Sequence, residues 1–146
     1  MKKLLVVLLV LALVGMPTAS FAGWVTANQI TVGWDANDAS GIDAATERLV
    51  YEVFLTNAVT DPGKTNPTSV GVTAETSLQI TLADKGKYRA GVCAVLQTLA
   101  EDGVTWEEVA RSEVSWSDDP TVTLNGETFG IRFYPAPQKP AGLNAG

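Results

Sequence analysis

The side chains of this chain that could most readily take part in catalysis or metal binding are carboxylates, because histidine and cysteine are nearly absent. The sequence contains no histidine and a single cysteine, Cys93. Ser-His-Asp triads, Cys-His pairs and histidine-ligated zinc or haem sites are therefore excluded. Neither a Gly-x-Gly-x-x-Gly fingerprint nor a Walker loop occurs, so nothing in the sequence indicates nucleotide binding.

Half of the sixteen carboxylates occur in close pairs along the chain. Hydrolysis of a glycoside requires two carboxylates that face each other about 5–9 Å apart across a cleft. Neighbouring residues of a strand point to opposite faces of a sheet, so an adjacent pair in a strand does not meet this requirement. We interpret the pairs as solvated charges and expect no enzymatic activity. They are Asp35 with Asp38, Glu101 with Asp102, Glu107 with Glu108, and Asp118 with Asp119.

One acidic loop is a candidate cation site. Asp35, Asn37 and Asp38 place three oxygen-bearing side chains within four residues, and clustered oxygen ligands suit calcium. The loop lacks the glycine at position six and the acid at position twelve of an EF-hand. The alternative is a set of turn residues that keep the loop soluble. Calcium is the one cofactor that the sequence leaves open.

Aromatic side chains on loops and strands are candidates for binding a protein or a glycan. Trp106 follows the turn that contains Glu101 and Asp102, and end loops of this kind are frequent binding elements. We therefore predict a binding site that comprises Trp106, Glu101, Asp102 and Phe54. The alternative is that these aromatic rings pack on the sheet.

Apolar residues alternate with polar ones along most of the chain, and no segment has a sustained helical period. This pattern predicts an all-β protein, a two-sheet antiparallel sandwich of about seven strands with Trp34 in its middle. Polar stretches rich in turn-forming residues separate the strands. The predicted strands are 24–27, 30–34, 47–55, 70–72, 78–82, 88–96 and a stretch within 104–116.

The first 22 residues have the order of a secretory signal peptide. A basic start precedes an unbroken apolar run over 4–14, and Ser20-Phe21-Ala22 is a small-x-small cleavage site. The apolar run is about half of the ~20 residues that cross a bilayer. We therefore expect cleavage after Ala22, no stable membrane insertion afterwards, and a location in the periplasm or outside the cell.

The charge balance restricts the partners. The chain has ten basic and sixteen acidic residues; removing Lys2 and Lys3 leaves eight basic against sixteen acidic, a net charge near −8. Such a surface repels phosphate backbones, so nucleic acid is not an expected partner. With one cysteine no internal disulfide forms, and Cys93 is interpreted as a structural thiol on a sheet face, with a reactive thiol as the alternative.

The C-terminal region carries a separate pattern. Asn125-Gly126 is the favoured pair for a two-residue hairpin turn, and Phe129, Ile131 and Phe133 alternate after it. The sequence thus predicts a β-hairpin over 120–134, followed by a flexible Pro-rich tail over 135–146. An isolated hairpin is marginal in water, so it must dock on the sandwich over 23–119 or on a neighbouring molecule.

The spacing between a leucine and a tyrosine points to a resemblance with a known domain family. Leu82 lies six residues before Tyr88, which is the spacing of the tyrosine corner, in which the phenol hydroxyl bonds to the backbone of the preceding turn. With Trp34 and Tyr51, the stretch from 25 to 119 resembles a bacterial fibronectin type III domain. It departs from the pattern at Ala83 and Asp84, where a proline often stands, and in the long connection between Trp34 and Tyr51.

The resemblance implies a fold and no catalytic residues. Its framework positions, expected in the core, are Trp34, Tyr51, Leu82, Tyr88 and Val92. An exported, non-catalytic module that binds a protein or glycan through loops and surface aromatics is the favoured function. The second is a structural subunit of a surface assembly that associates through the C-terminal hairpin or a sheet edge. The third is a carbohydrate-binding accessory protein.

Overall fold

A computed structural model of the chain describes residues 23–135, 137 and 141–142. The predicted signal peptide over 1–22 lies outside the described residues, as does most of the predicted tail. Within these ranges the regular structure is nearly all strand, as the alternating pattern predicts. The strands are β1 (Gly23–Thr26), β2 (Gln29–Gly33), β3 (Glu47–Asn57), β4 (Thr68–Thr73), β5 (Ser77–Thr81), β6 (Gly86–Leu99), β7 (Trp106–Arg111), β8 (Ser115–Trp116) and β9 (Phe129–Phe133).

The strands form two sheets, and β6 organises the larger one. On one side β6 pairs with β3, from Tyr88 opposite Asn57 to Thr98 opposite Glu47. On its other side it pairs in succession with β9, β8 and β7. The order across the main sheet is β1-β9-β6-β3-β4, and β2 and β5 form a second, antiparallel sheet. β1 runs parallel to β9, which makes the main sheet mixed where the sequence predicts purely antiparallel pairing.

The main core contains the alternating apolar residues of β2, β3, β5 and β6. Trp34 and Tyr51 are both buried, with ring centroids 5.3 Å apart. Leu82 is buried beside them, while Tyr88 and Val92 are partly buried against the same cluster. The Tyr88 hydroxyl donates a hydrogen bond to the Asp84 carbonyl oxygen at 2.9 Å. This is the bond to the preceding turn that the leucine–tyrosine spacing predicts.

The opposite face of the main sheet carries a second apolar cluster. Val50, Phe54, Cys93 and Val95 are buried there, because Val114 and Trp116 pack over them. Phe54 is only 9% exposed, so the expectation of an exposed aromatic at this position is wrong. Burial raises the pKa of the Cys93 thiol, which has 1% of its surface exposed.

The predicted C-terminal hairpin does not form. Asn125 and Gly126 do have positive φ angles, 55° and 73°, but they lie at a single 3₁₀ turn (Leu124–Gly126) with no strand directly before it. The apolar alternation after the turn forms β9, which pairs with β6 and β1 instead. Pairing with both strands places Ile131 in the main core, where it is completely buried, whereas an isolated hairpin would be marginal in water.

Candidate functional site

The predicted cation loop is organised by hydrogen bonds to its own backbone and to the core. The Asn37 amide N–H donates to the Tyr51 hydroxyl at 2.8 Å. The Ser40 amide donates to Asp38 Oδ1 at 2.9 Å, and this bond lowers the pKa of Asp38. Within the described ranges, no group of three or more histidine, cysteine or acidic side chains is placed to share a metal ion. Calcium binding at Asp35, Asn37 and Asp38 stays a prediction.

The predicted binding residues at the β6–β7 turn lie close together, but one of them has a structural role. Asp102 Oδ1 accepts hydrogen bonds from the amides of Val104 at 2.8 Å and Thr105 at 2.7 Å. A hydrogen bond from the Thr105 hydroxyl is the main reason that the pKa of Asp102 is lowered, and the two backbone bonds add to it. Glu101 is exposed and Trp106 is partly buried. Phe54 does not join them, because it lies opposite Gly91, far along β6.

The tryptophans outside the main core all lie beneath cationic side chains. A cation over an indole ring is attracted by the negative face of the ring. Part of each ring is therefore covered, which disfavours the open stacking surface that a sugar would need. The contacts, measured to the ring centroid, are Arg89 at 4.3 Å and Lys87 at 5.2 Å over Trp24, Arg48 at 4.3 Å over Trp106, and Lys64 at 5.7 Å over Trp116.

A site that the sequence did not single out lies at the end of the main sheet, on β4. This strand pairs with β3 alone among the described strands. None of its residues takes part in a further backbone–backbone hydrogen bond within the described part of the chain. Its sequence, Thr-Ser-Val-Gly-Val-Thr, has no charged residue. We call this unpaired side of residues 68–73 the β4 edge.

Exposed valines mark the β4 edge. Val72 is 58% exposed opposite Glu52, and Val70 is 38% exposed at a bulge between Ser69 and Gly71. Gly71 allows β4 to lie close to the second sheet, since a Cβ there would be 2.9 Å from Leu78 Cδ2. An uncharged strand with apolar side chains and unpaired backbone groups is a template for another strand.

A groove of about 570 Å³ runs beside the β4 edge. Residues of both sheets line it, so it opens between β4 and the end of β5. Most of its polar lining consists of hydroxyl and amide groups. We call it the edge groove; its lining residues are Leu55, Thr56, Asn57, Thr60, Asp61, Asn66, Thr68, Val70, Thr81, Leu82, Ala83, Asp84 and Tyr88.

One wall of the edge groove is the connection between β3 and β4, which Asp61 holds in place. Asp61 Oδ1 accepts from the Thr65 amide and hydroxyl at 2.9 and 2.8 Å. Its Oδ2 accepts from the Asn66 amide and the Thr56 hydroxyl, both at 2.9 Å. The backbone bonds from Asn66 and Thr65 are the main reason that the pKa of Asp61 falls to about 2. The wall is therefore shaped before any ligand arrives.

The β7 edge has a different chemistry. Glu107, Glu108 and Arg111 lie along it and are exposed. Arg111 forms a two-pronged contact with Glu108, both N–O distances being 2.6 Å, and a third bond to Glu52 at 3.1 Å. This contact lowers the pKa of Glu108 and raises that of Arg111. Charges of this kind protect an edge from pairing with other strands.

A signal for the β4 edge is present in the sequence. No charged residue occurs between Lys64 and Glu75, and the stretch carries two valines in alternation. The valines alone indicate a short strand. That this strand lies at the end of a sheet depends on the pairing of β3 with β6, which local patterns do not contain.

Comparison with known protein families and with curated proteins gives no match from which a function could be transferred. No protein-family model matches the chain, and no curated protein matches its sequence. Within the described residues, helices with the length and apolarity needed to cross a bilayer do not occur. The β4 edge, the edge groove and the surrounding charges are therefore the features from which a function can be inferred.

Proposed function

We propose that this protein is an exported, non-catalytic binding module that takes an extended segment of a partner protein as an added strand on β4. The observation that carries the proposal is the free, uncharged β4 edge with the edge groove beside it. In strand addition the main chain supplies the affinity through backbone hydrogen bonds. Pockets beside the edge supply specificity by holding alternate side chains.

The charges of the edge groove favour a particular kind of segment. Its lining contains Asp61 and Asp84 and no basic residue. The Asp61 carboxylate already accepts four hydrogen bonds, so Asp84, which is exposed, is the group available to a ligand. A lysine or arginine of the partner segment would meet Asp84, while the hydroxyl and amide groups would bind small polar side chains.

The fold and the location belong to the same proposal. A fibronectin type III-like sandwich is supported by Trp34 between the sheets and by the bond from Tyr88 to Asp84. Modules of this architecture carry many functions on a common framework. Export is supported by the signal-peptide pattern of the first 22 residues, and the lack of histidine favours binding over catalysis.

The test uses a displayed library of random linear peptides selected on the mature protein. We expect the selected peptides to be enriched in basic residues and to shift the amide resonances of residues 68–73 and 81–84. The Val72→Lys variant puts a charge on the β4 edge and should lose at least about tenfold in affinity, equivalent to ~1.4 kcal/mol. Lysine opposite Glu52 keeps the fold, because oppositely charged cross-strand pairs are favourable.

The matched control is Val109→Lys on β7, where the valine is 54% exposed. This variant should bind the peptides as well as the unmodified protein. Peptides whose binding survives Val72→Lys, or whose resonance shifts lie at Trp106, would contradict the proposal. If the mass measured by light scattering increases with protein concentration, and Val72→Lys abolishes this increase, the strand that occupies the β4 edge is that of a second copy of the protein.

A further inference from the structure

Three basic residues gather at one corner of the main sheet, on the side away from β4. Lys87 of β6 lies directly opposite Arg132 of β9. Arg89 follows two residues along β6, so its side chain is on the same face of the sheet. Trp24 of β1 lies between them, within cation–π distance of both Lys87 and Arg89. We call these four residues the basic corner.

The arrangement is unfavourable by itself. Like charges that lie directly opposite each other on neighbouring strands destabilise the pairing. The ion pairs formed among the described residues are Lys64 with Asp118 and Arg111 with Glu52 and Glu108, all of them elsewhere. In a chain of net charge −6, carboxylates are abundant, yet none forms an ion pair with this corner within the described ranges.

The basic corner is also held in a fixed geometry. Arg89 Nη1 donates to the Phe129 carbonyl oxygen at 2.7 Å, while its guanidinium stacks on the Trp24 ring. Trp24 can lie flat on β9 because the residue opposite it is Gly130, where a Cβ would be 2.6 Å from Trp24 Cζ3. Arg132 Nη2 bonds to Thr26 Oγ1 at 3.2 Å. The cations are therefore positioned before any anion is present.

We propose that the basic corner binds a phosphate or sulfate group. Guanidinium groups offer five N–H donors in a planar fork that matches such oxyanions, and lysine adds a compact charge. Arg89 and Arg132 each commit only part of their donors to Phe129 and Thr26. A doubly charged tetrahedral anion would bridge Lys87 and Arg132 and convert their repulsion into two favourable contacts.

The site is independent of the proposed strand addition. β1, β9 and β6 lie at one end of the main sheet, and β4 lies at the other. The acidic charge of the rest of the protein opposes long polyanions such as nucleic acid. The ligand chemistry that fits is thus one phosphate or sulfate group carried by a larger molecule.

The experiment is an NMR titration of the mature protein with inorganic phosphate and, separately, with inorganic sulfate, at constant ionic strength held with sodium chloride. We expect saturable shifts of the Trp24 indole N–H and of the amides of residues 87–89 and 130–132. Lys87→Gln and Arg132→Gln should each weaken binding about tenfold, the effect of losing one charge-assisted contact. Binding of phosphate alone or sulfate alone identifies the source, and binding of both identifies a general oxyanion site.

The matched control is Arg48→Gln, which removes one charge and the cation over Trp106 at the other end of β6. It should leave both titrations unchanged. A stability readout separates binding from a merely structural role: Lys87→Gln should raise the melting temperature without anion, because it relieves the like-charge pair, and should lose the increase that phosphate gives the unmodified protein. Non-saturable shifts, or equal affinities in Arg48→Gln and Arg132→Gln, would overturn the proposal.

Discussion

Two of the outer strands of the main sheet, β4 and β7, differ in the residues that the sequence places on them. On β7 three of six residues are charged, and Arg111 links Glu108 to Glu52 across the sheet. On β4 none of the six residues is charged, and its valines are exposed. Since an unprotected edge invites pairing with other chains, the difference between the two strands is the reason that we propose β4, and not β7, as the place for a partner strand.

The chemical difference between β4 and β7 does not come from one strand being held less firmly than the other. The loop that leads into each strand is held by an aspartate that accepts backbone and hydroxyl hydrogen bonds from a threonine. Asp61 bonds Thr65 before β4, and Asp102 bonds Thr105 before β7. Both edges are therefore fixed in place by the same device, and they differ in surface chemistry.

The largest effect is expected from adding one methyl group at a glycine, either at Gly91 of β6, opposite Trp116 of β8, or at Gly71 of β4. In Gly91→Ala the new Cβ would lie 2.6 Å from Val114 Cγ1 and 2.7 Å from the Trp116 ring. These groups cannot move without uncovering the second apolar cluster, which includes Phe54 and Cys93, so we expect a loss of about 2–3 kcal/mol in the free energy of unfolding. Gly71→Ala meets the mobile end of Leu78 and should cost about 1 kcal/mol. Urea denaturation of both variants measures the difference, and equal losses would show that the surroundings of the two glycines are packed alike.

A change in association is expected when β7 is made to resemble β4. The triple variant Glu107→Thr, Glu108→Thr, Arg111→Thr leaves β7 without charge, and its unpaired backbone becomes a second template. We expect concentration-dependent association by light scattering. The single variant Glu113→Thr, which changes the net charge by the same amount outside the strands, should stay at the size of the unmodified protein. If the triple variant does so too, charge is not what guards the β7 edge.

The smallest effect is expected from acid. Folding lowers the pKa of Asp61 from 3.8 to about 2, so its ionised form stabilises the fold above pH 3.8. That stabilisation is lost as the pH falls from 3.8 towards 2. Asp61→Asn should therefore lower the melting temperature at pH 7, and its difference from the unmodified protein should disappear near pH 2. A constant deficit for Asp61→Asn would contradict the assignment.

The sequence predicts the main core well because the determinants there are local. Trp34, Tyr51 and Leu82 are buried and Tyr88 forms its turn bond, since strict alternation and a fixed spacing leave few other arrangements. Val92 is only partly buried. Its neighbour in register, Val53, is completely covered, which shows that alternation gives the face of the sheet and not the depth.

What the sequence does not reveal depends on contacts between distant segments. The sequence predicts an exposed Phe54 because this residue lies on the face of the sheet away from Trp34, but Val114 and Trp116, far along the chain, pack over it. The local Asn125-Gly126 signal predicts that β9 is half of a hairpin, whereas its actual partners, β6 and β1, lie far away in the sequence. The β4 edge and the basic corner have the same origin, since both are defined by which strands end up side by side.

The parallel pairing of β1 with β9 has a consequence for how the chain reaches its final state. Among the described strands, Gly23–Thr26 pairs only with Phe129–Phe133, and Thr26 and Arg132 are 106 positions apart. Such distant pairings make folding slow. The first of the described strands to be synthesised therefore pairs only after the last of them has been made. In a chain whose synthesis stops before residue 129, Trp24 would lack the strand on which it packs.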